Sequence, residues 1–280
     1  MPLGCATMSR CSFKSALQDS QHKTKVTILK STNRAQTSHT TMGSEGTAKI
    51  NNTIQRKPRF LCLHGFRTSA AILKKQIFDK WPSQVVEKLD FVFIDAPSPC
   101  QGKSEVEGIF DPPYYEWYQF NKDLKEYQNF DKCLAYIEEC MIKHGPFDGL
   151  LGFSQGAMIS GALPGLQDKL MMVIDDYMMY WQGVGLTNVP KIKYLIIIGG
   201  AKLQNKPLAD KAYSSAITCP SIHFLGEQDY LKKYGMELLE SFVHPVVIHH
   251  PRGHSIPRFD EKGLESMISF IEKVQTEISK

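Results

Sequence analysis

Short apolar runs of strand length recur along the chain, and they constrain its fold more than any other feature. Several are rich in the β-branched and aromatic residues that strands favour. The six runs cover residues 60–63, 89–94, 149–153, 194–198, 221–225 and 245–249. Because most of them are apolar throughout rather than at alternate positions, they indicate strands that are buried on both faces of a sheet.

Longer stretches with a helical pattern separate these runs, for example residues 130–143, 231–242 and 261–278. Strands that alternate with helices predict an α/β fold, in which helices cover both faces of a mostly parallel sheet. In sheets of this kind the active site lies beyond the carboxyl ends of the strands. The residues that follow each run are therefore the first candidates for function.

The amino-terminal segment, residues 1–56, differs from the rest of the chain. It is rich in Ser and Thr, and residues 1–59 hold ten Lys or Arg but only two acidic residues. This composition fits either a disordered extension or an organellar transit peptide. Met42 also begins an N-myristoylation pattern, so a misplaced start is a third option. We expect the folded domain to span residues 57–280, in the cytoplasm or nucleus, or in a plastid or mitochondrion if the segment is a transit peptide.

Charge and cysteine usage exclude several classes of protein. The net charge of the whole chain is +4, so the chain beyond the basic segment is mildly acidic and lacks the excess of basic residues that nucleic-acid binding needs. The seven cysteines form no C-x-x-C pair, which argues against a disulfide scaffold or a structural zinc site. No apolar run is long enough to cross a bilayer, and no nucleotide-binding loop motif is present. We expect no cofactor, no metal, no nucleic-acid partner and no stable membrane span.

The strongest local signal is the sequence G-F-S-Q-G at residues 152–156. It follows one of the apolar runs and precedes a helix-like stretch, which is the context of a nucleophile elbow. In such an elbow the turn holds the serine in a strained backbone conformation, and the flanking glycines leave room where strand and helix cross. We therefore predict Ser154 as a nucleophile at the amino terminus of a helix.

A serine hydroxyl needs a base, and the base needs an orienting acid. In folds with this elbow the acid and then the histidine follow the serine along the chain, each after a later strand. Asp229 and His254 occupy those places, so we predict them as acid and base. Glu227 is the rival acid and His249 and His250 are the rival bases, for which a structural role is favoured. The spacing of the three histidines fits no zinc-binding pattern.

An oxyanion hole needs two backbone N–H groups near the nucleophile. We predict the N–H of Gln155, which follows the serine, and the N–H of Phe66, in the loop after the first run. His64 begins that loop, and we expect it to shape the loop by hydrogen bonding rather than to act in catalysis.

Taken together, these motifs resemble the FSH family of serine hydrolases, the small esterase group that includes the ovarian-cancer-associated serine hydrolase. The resemblance rests on F-L-C-L-H-G-F-R-T-S at residues 60–69, D-A-P at 95–97, G-F-S-Q-G at 152–156 and G-H-S-I-P at 253–257. The stretch G-I-F-D-P-P-Y-Y-E-W at 108–117 is similar to plant members. The resemblance to the family implies a compact α/β-hydrolase fold with carboxylesterase activity, often towards acyl esters or thioesters. The resemblance also carries the three catalytic roles onto Ser154, Asp229 and His254.

Two regions bear on the substrate. Residues 169–186, rich in Met and aromatic residues, are longer than the usual family segment, and they fit either a lid over an acyl pocket or a surface insertion or gene-model error. The loop 97–118 is long, aromatic and rich in proline. Its Tyr114, Tyr115 and Trp117 either wall an apolar pocket or pack beneath the loop.

The sequence thus predicts a serine hydrolase that acts on a small-molecule acyl ester or thioester. A non-catalytic α/β-hydrolase-fold receptor for a small molecule is the alternative from a different class. A phospholipase-like or peptidase activity on the same machinery is a third reading. The oligomeric state is left open.

Overall fold

The apolar runs become strands in the computed structural model, which describes residues 56–170 and 185–280. The strands of these two ranges are β1 (Arg59–Leu63), β2 (Asp90–Ile94), β3 (Ser98–Pro99), β4 (Tyr115–Glu116), β5 (Gln119–Phe120), β6 (Tyr127–Gln128), β7 (Gly149–Phe153), β8 (Tyr194–Ile198), β9 (Ser221–Gly226) and β10 (Val246–His250). The six predicted runs agree with β1, β2, β7, β8, β9 and β10 to within one residue at each end.

Helices connect these strands, as the alternating pattern predicts. They are α1 (Ala70–Lys80), α2 (Ser83–Val86), α3 (Phe130–His144), α4 (Gln155–Leu170), α5 (Lys206–Ala212), α6 (Lys232–Leu239) and α7 (Glu261–Ile278). Side chains cap several of their first turns. Asp260, for example, accepts a hydrogen bond from the N–H of Gly263 at 2.8 Å, which satisfies a donor that the start of α7 leaves without an intrahelical partner.

The central sheet has the order β10-β9-β8-β7-β1-β2, and every neighbouring pair is parallel. Parallel pairing puts the carboxyl ends of all six strands at one edge. The register aligns Leu63, the last residue of β1, with Ile94 on one side and Gly152 on the other. The segments that follow the strands therefore meet at this edge. The α/β-hydrolase fold predicted from the sequence is confirmed.

Two apolar clusters cover the two faces of the sheet. Neighbouring residues of a strand point to opposite faces, so Leu61 belongs to one cluster and Phe60 to the other. The first cluster includes apolar residues of α3, α4, α5 and α6, and the second includes those of α1 and α7. Each fully buried large side chain contributes about 1.5–3 kcal/mol relative to exposure. This double cover explains why most of the strands are apolar throughout.

The loop predicted at residues 97–118 holds a short antiparallel ladder of β3 with β4, and a second ladder, β5 with β6, follows it before α3. Strands of two residues have no detectable periodicity, which is why the sequence does not reveal them. The N–H of Tyr115 also donates to the carbonyl of Thr68 at 2.7 Å. This bond ties the stretch to the loop that follows β1.

Two expectations lie outside the described residues. The extension at residues 1–56 is described only at Arg56, and the insertion or lid around 169–186 is outside the description from 171 to 184. In the part of the chain that the structure describes, no helix is both long and apolar enough to cross a membrane.

Candidate active site

Ser154 lies in the sharp turn between β7 and α4. Its backbone has a φ of 54°, in the left-handed region that residues with a side chain rarely adopt. Two backbone bonds hold it there. Its N–H donates to the carbonyl of Ile198 at 3.0 Å, and its carbonyl accepts from the N–H of Met158 at 3.0 Å. This is the strained strand–turn–helix geometry predicted for a nucleophile elbow.

The two glycines that flank the turn are required by close backbone contacts. A Cβ on Gly156 would lie 2.2 Å from the carbonyl oxygen of Leu63. A Cβ on Gly152 would lie 2.4 Å from the carbonyl oxygen of Gly156. Both distances are far below a van der Waals contact, so the spacing G-x-S-x-G follows from the crossing of β7, α4 and β1.

The predicted acid and base are in direct contact at the same edge of the sheet. Nδ1 of His254 lies 2.9 Å from Oδ2 of Asp229, and the exposed fractions of the two side chains are 9% and 4%. The other carboxylate oxygen of Asp229 accepts from the N–H of Leu231 at 2.8 Å. The carboxylate is therefore held from both sides, and it fixes the orientation of the imidazole ring.

Asp229 retains its charge despite its burial. Burial by itself raises the pKa of the carboxyl group. The hydrogen bond and charge attraction of His254, with the N–H of Leu231, outweigh that effect and lower the pKa of Asp229 below its usual value. A charged carboxylate at Nδ1 favours the tautomer in which Nδ1 carries the proton and Nε2 offers a lone pair.

The rival acid Glu227 pairs with His249 rather than with His254. Glu227 contacts Nδ1 of His249 at 2.9 Å and the ammonium group of Lys232. The alternation expected along β10 is observed, since His249 is exposed and His250 is buried. The pKa of His250 is lowered, chiefly by burial, which keeps that ring neutral near pH 7.

Two aromatic rings lie against the His254 imidazole. The ring of Phe153 stacks on it with centroids 5.1 Å apart, and the ring of Tyr230 lies at 4.9 Å. The end of β8 also approaches the pair, because a Cβ on Gly199 would lie 2.9 Å from Cε1 of His254. None of these three residues was predicted from the sequence. The sequence pointed to them only by position, since Phe153 lies within the elbow motif, Tyr230 follows Asp229 and Gly199 follows an apolar run.

Nε2 of His254 is buried and has no hydrogen-bond partner among the described residues. The hydrogen bond from Ser154 to this nitrogen is therefore not made in this structure. Both residues nevertheless adjoin the same neighbours. A Cβ on Gly65 would lie 3.4 Å from Cβ of Ser154 and 3.1 Å from the ring of Phe153, which stacks on His254. Hydrogen bonds of this type are often long in ligand-free enzymes.

The loop after β1 lies against the elbow, as an oxyanion hole requires. The carbonyl of His64 accepts from the N–H of Gly156 at 3.2 Å and from Nε1 of Trp117 at 2.8 Å. Phe66 follows directly, and its ring packs on Phe120 with centroids 4.9 Å apart. Burial lowers the pKa of His64 to about 4, so its ring is neutral near pH 7 and acts through hydrogen bonds.

The side chain of Gln155 anchors the start of α4 to the segment after β4. Its Oε1 accepts from the N–H of Trp117 at 3.1 Å, and its Nε2 donates to the carbonyl of Tyr118 at 2.8 Å. The N–H of Gln155 belongs to the first turn of α4, where the helix provides no acceptor for it. It therefore points towards the carboxyl edge of the sheet with the positive end of the helix dipole.

The three aromatic residues considered for a pocket occupy different positions. Trp117 is fully buried and packs on the ring of His64, so it lies beneath the loop rather than in an open pocket. Tyr115 pairs with Pro99 in the β3–β4 ladder and is partly buried. The hydroxyl of Tyr114 donates to the carbonyl of Phe110 within its own loop.

Metal-binding geometry is not found in the described parts of the chain. Within residues 56–170 and 185–280, no group of three or more His, Cys, Asp or Glu side chains is placed to hold a metal ion. The arrangement at the sheet edge instead consists of a serine, a paired histidine and carboxylate, and backbone N–H groups. These are the elements of nucleophilic acyl transfer.

Comparison with known proteins agrees with this chemistry. The family model described as serine hydrolase (FSH1) matches residues 53–264. A protein of Anopheles gambiae named as an esterase is 30% identical over 223 residues, which cover 75% of this chain and 76% of that protein. A Drosophila melanogaster protein, also named as an esterase, is 30% identical over 218 residues, 73% of this chain and 70% of that protein.

Among solved structures, the crystal structure of Zea mays acyl-protein thioesterase 2 is similar to this chain with a TM-score of 0.49. The sequence identity is 16%, and the superposition covers 79% of this chain and 95% of that one.

Proposed function

Since the chain belongs to the FSH1 family of serine hydrolases, we propose that it cleaves a carboxylic ester or thioester through an acyl-enzyme formed on Ser154. In this proposal His254 is the base, Asp229 orients it, and the N–H groups of Phe66 and Gln155 form the oxyanion hole. The chain is a serine hydrolase of the carboxylesterase or thioesterase type, and the proposal concerns which residues carry out the reaction and on which bond.

One observation carries the assignment of residues. The 2.9 Å contact between Asp229 and His254 is buried, and it lies at the same sheet edge as the strained elbow of Ser154. A histidine held by a buried carboxylate through Nδ1 presents Nε2 as a base. The competing pair Glu227–His249 is exposed.

The first half of the reaction acylates Ser154. Nε2 of His254 takes the hydroxyl proton while Oγ of Ser154 forms a bond to the substrate carbonyl carbon. The carbonyl oxygen becomes negatively charged and accepts hydrogen bonds from the N–H groups of Phe66 and Gln155. When this intermediate collapses, the bond to the alcohol or thiol breaks, and the leaving group takes the proton from His254.

The second half releases the acid. A water molecule gives a proton to Nε2 of His254 and attacks the acyl carbon, and the same two N–H groups stabilise the second intermediate. Collapse of that intermediate breaks the bond to Oγ, which recovers its proton from His254. Throughout, Asp229 remains charged and stabilises the imidazolium that forms twice in each cycle.

The ester as substrate class is supported by the family and by the two insect relatives named as esterases. The thioester extension follows from chemistry, since a thiolate leaves an acyl carbon at least as readily as an alkoxide. Neither substrate needs a charged specificity pocket.

The test is labelling by a fluorophosphonate probe, followed by hydrolysis of a panel of p-nitrophenyl esters and acyl thioesters of graded chain length. We expect the wild type to be labelled and to hydrolyse esters, and we expect Ser154→Ala to lose both. Ser266→Ala, on the exposed face of α7, is the matched control and should behave as the wild type.

Two outcomes would contradict the proposal. Labelling that persists in Ser154→Ala would mean that another residue is the nucleophile. A folded wild type that neither reacts with the probe nor turns over any ester would favour the receptor alternative, and binding of the same esters without hydrolysis would then be measurable by calorimetry.

A further inference from the structure

The peptide unit between Gly65 and Phe66 is held by two hydrogen bonds to one atom. The carbonyl oxygen of Gly65 lies 2.8 Å from Nδ1 of His64 and accepts from the hydroxyl of Thr68 at 2.8 Å. Both donors are buried, with exposed fractions of 0% for His64 and 7% for Thr68. This carbonyl therefore has both of its acceptor directions occupied.

The tautomer of His64 follows from its other nitrogen. The N–H of Ala96 donates to Nε2 of His64 at 3.0 Å, so Nε2 must be the acceptor and Nδ1 must carry the proton. Nδ1 consequently donates to Gly65. The N–H of Ala96, in the D-A-P stretch at residues 95–97, thus orients the ring of His64, and the ring holds the carbonyl of Gly65.

A peptide unit is planar, and its C=O and N–H point in opposite directions. The carbonyl of Gly65 and the N–H of Phe66 belong to the same unit. Fixing the direction of that carbonyl therefore fixes the direction of the Phe66 N–H, which is one of the two donors of the proposed oxyanion hole.

We propose that Thr68, together with His64, is a positioning residue that aims the Phe66 N–H at the substrate oxyanion by holding the carbonyl of Gly65. This inference rests on the proposed function, because it assigns a role within the same site. Thr68 touches neither the substrate nor Ser154 in this scheme. It acts through the peptide unit and through His64, whose Nδ1 lies 3.2 Å from the hydroxyl of Thr68.

Backbone contacts on either side of Thr68 hold its hydroxyl in position. Its own carbonyl accepts from the N–H of Tyr115 at 2.7 Å, which ties its backbone to β4. The preceding residue, Arg67, has a φ of 52° and turns the chain so that Thr68 folds back over Gly65. The guanidinium of Arg67 is itself held at 2.6 Å by the buried carboxylate of Glu116.

Loss of the Thr68 hydroxyl leaves the carbonyl of Gly65 with one donor instead of two. The peptide unit can then rotate, and the Phe66 N–H is aimed less well at a charge that develops only in the transition state. Because an oxyanion donor acts on the transition state, the loss should lower kcat and leave KM nearly unchanged. We expect a fall of roughly tenfold in kcat, part of the roughly 10²–10³-fold cost of losing a whole oxyanion donor.

The experiment compares two pairs of proteins that differ by the hydroxyl at residue 68: the wild type with Thr68→Val, and Thr68→Ser with Thr68→Ala. Thr68→Val removes the hydroxyl at nearly constant shape, and Thr68→Ser retains it without the methyl group. Thr68→Ala, set against Thr68→Ser, is the second hydroxyl deletion and decides the question if Thr68→Val does not fold. Thr276→Val, on the exposed face of α7, removes a hydroxyl that also bonds a carbonyl and is the matched control.

Three quantities are measured: kcat, KM and the inhibition constant of a trifluoromethyl ketone, whose adduct with serine places a negative oxygen in the oxyanion hole. We expect Thr68→Val and Thr68→Ala to lower kcat and weaken the ketone by similar factors, with Thr68→Ser and Thr276→Val near the wild type. A purely structural role would instead move thermal stability without this parallel loss.

The inference is overturned if the wild type hydrolyses esters through Ser154 but kcat of Thr68→Val and Thr68→Ala stays within about twofold of their hydroxyl-bearing partners. It is also overturned if only KM changes, or if Thr68→Ser loses as much activity as Thr68→Ala. Failure of the proposed function looks different, because the wild type itself would then show no Ser154-dependent hydrolysis, and the role of Thr68 would fall with it.

Discussion

Two histidine–carboxylate pairs lie where β9 and β10 end, and the distance from nitrogen to oxygen is the same in both. Nδ1 of His254 is 2.9 Å from Asp229, and Nδ1 of His249 is 2.9 Å from Glu227. The side chains of the first pair are 9% and 4% exposed, whereas those of the second are 52% and 46% exposed. Distance alone therefore does not distinguish the candidate catalytic pair from the surface pair, whereas the burial of the side chains does.

The physical reason is the screening of charge by water. An exposed ion pair interacts through a high dielectric and therefore contributes little to stability. Glu227 accepts hydrogen bonds from Lys232 and His249, and these two partners lower the pKa of its carboxyl group. Asp229 is buried, so water screens its charge less and its attraction to His254 is stronger. The rings of Phe153 and Tyr230 also pack against the imidazole.

Replacing the two histidines one at a time should give the largest contrast. We expect His254→Ala to lower kcat by roughly 10⁵–10⁶-fold, because Ser154 loses the only base held against a buried carboxylate within the described residues. His249→Ala should change kcat by less than about threefold, as expected of an exposed pair. Steady-state ester hydrolysis measures both. A loss in His249→Ala as large as that in His254→Ala would reverse the assignment of the two pairs.

Replacing the two carboxylates should give a smaller contrast in the same direction. Asp229→Asn keeps the size of the side chain but no longer selects the tautomer with the proton on Nδ1, so kcat should fall by about 10⁴-fold. Glu227→Gln should remain near the wild type. Both variants are compared by kcat at one pH, with circular dichroism as a check of folding. If Glu227→Gln were the more damaging change, the exposed carboxylate would be the orienting acid.

The aromatic cover of His254 should have a moderate effect. Tyr230→Ala removes a ring that lies 4.9 Å from the imidazole, and we expect kcat/KM to fall by up to about tenfold, which corresponds to the roughly 0.5–1.5 kcal/mol of an aromatic pair. Tyr230→Phe retains the ring and should behave as the wild type. Equal losses in both variants would show that the hydroxyl, rather than the ring, supports the site.

The smallest expected difference between Asp229 and Glu227 is in how the free energy of unfolding depends on pH. Folding lowers the pKa of Asp229, so its charged form stabilises the folded chain above the unfolded value of about 3.9, and this contribution disappears as the pH falls through the lower folded pKa. The stability gap between wild type and Asp229→Asn should therefore be largest near pH 6 and shrink towards pH 3.

Urea denaturation at pH 6, 5, 4 and 3 measures this gap. For Glu227→Gln we expect the same sign, since the pKa of Glu227 is also lowered, but the gap should be smaller and should be screened by added salt. A gap for Asp229→Asn that is independent of pH would show that packing, and not the carboxylate charge, accounts for its stabilising effect.

Much of the fold could be predicted because its signals are local. A strand buried on both faces must be apolar throughout, and β7 and β8 match their predicted runs residue for residue. The helix predicted at residues 261–278 is observed as α7 with the same bounds. The short strands β3 to β6 were missed because two residues are too few to establish a period.

The candidate site was predicted in its order but not in its contacts. The elbow requires glycines at fixed spacing around Ser154, so the sequence carries that information directly. The choice between Asp229 and Glu227 is different. The two carboxylates lie two residues apart in one loop, and either could in principle meet a histidine from the loop after β10. Likewise, nothing in the sequence distinguishes Trp117 in a pocket from Trp117 beneath the loop.

The sequence by itself therefore determined the alternation of strands and helices, the position of the elbow and the chain order of its partners, because each depends on residues close together in the chain. The tertiary structure decided which carboxylate is buried against which histidine, and that Thr68 returns to the carbonyl of Gly65. Asp229 and His254 are brought together only because β9 and β10 are neighbours in the sheet, with their carboxyl ends at one edge. Burial belongs to the assembled layers, and it turns one of two equal hydrogen bonds into the candidate catalytic pair.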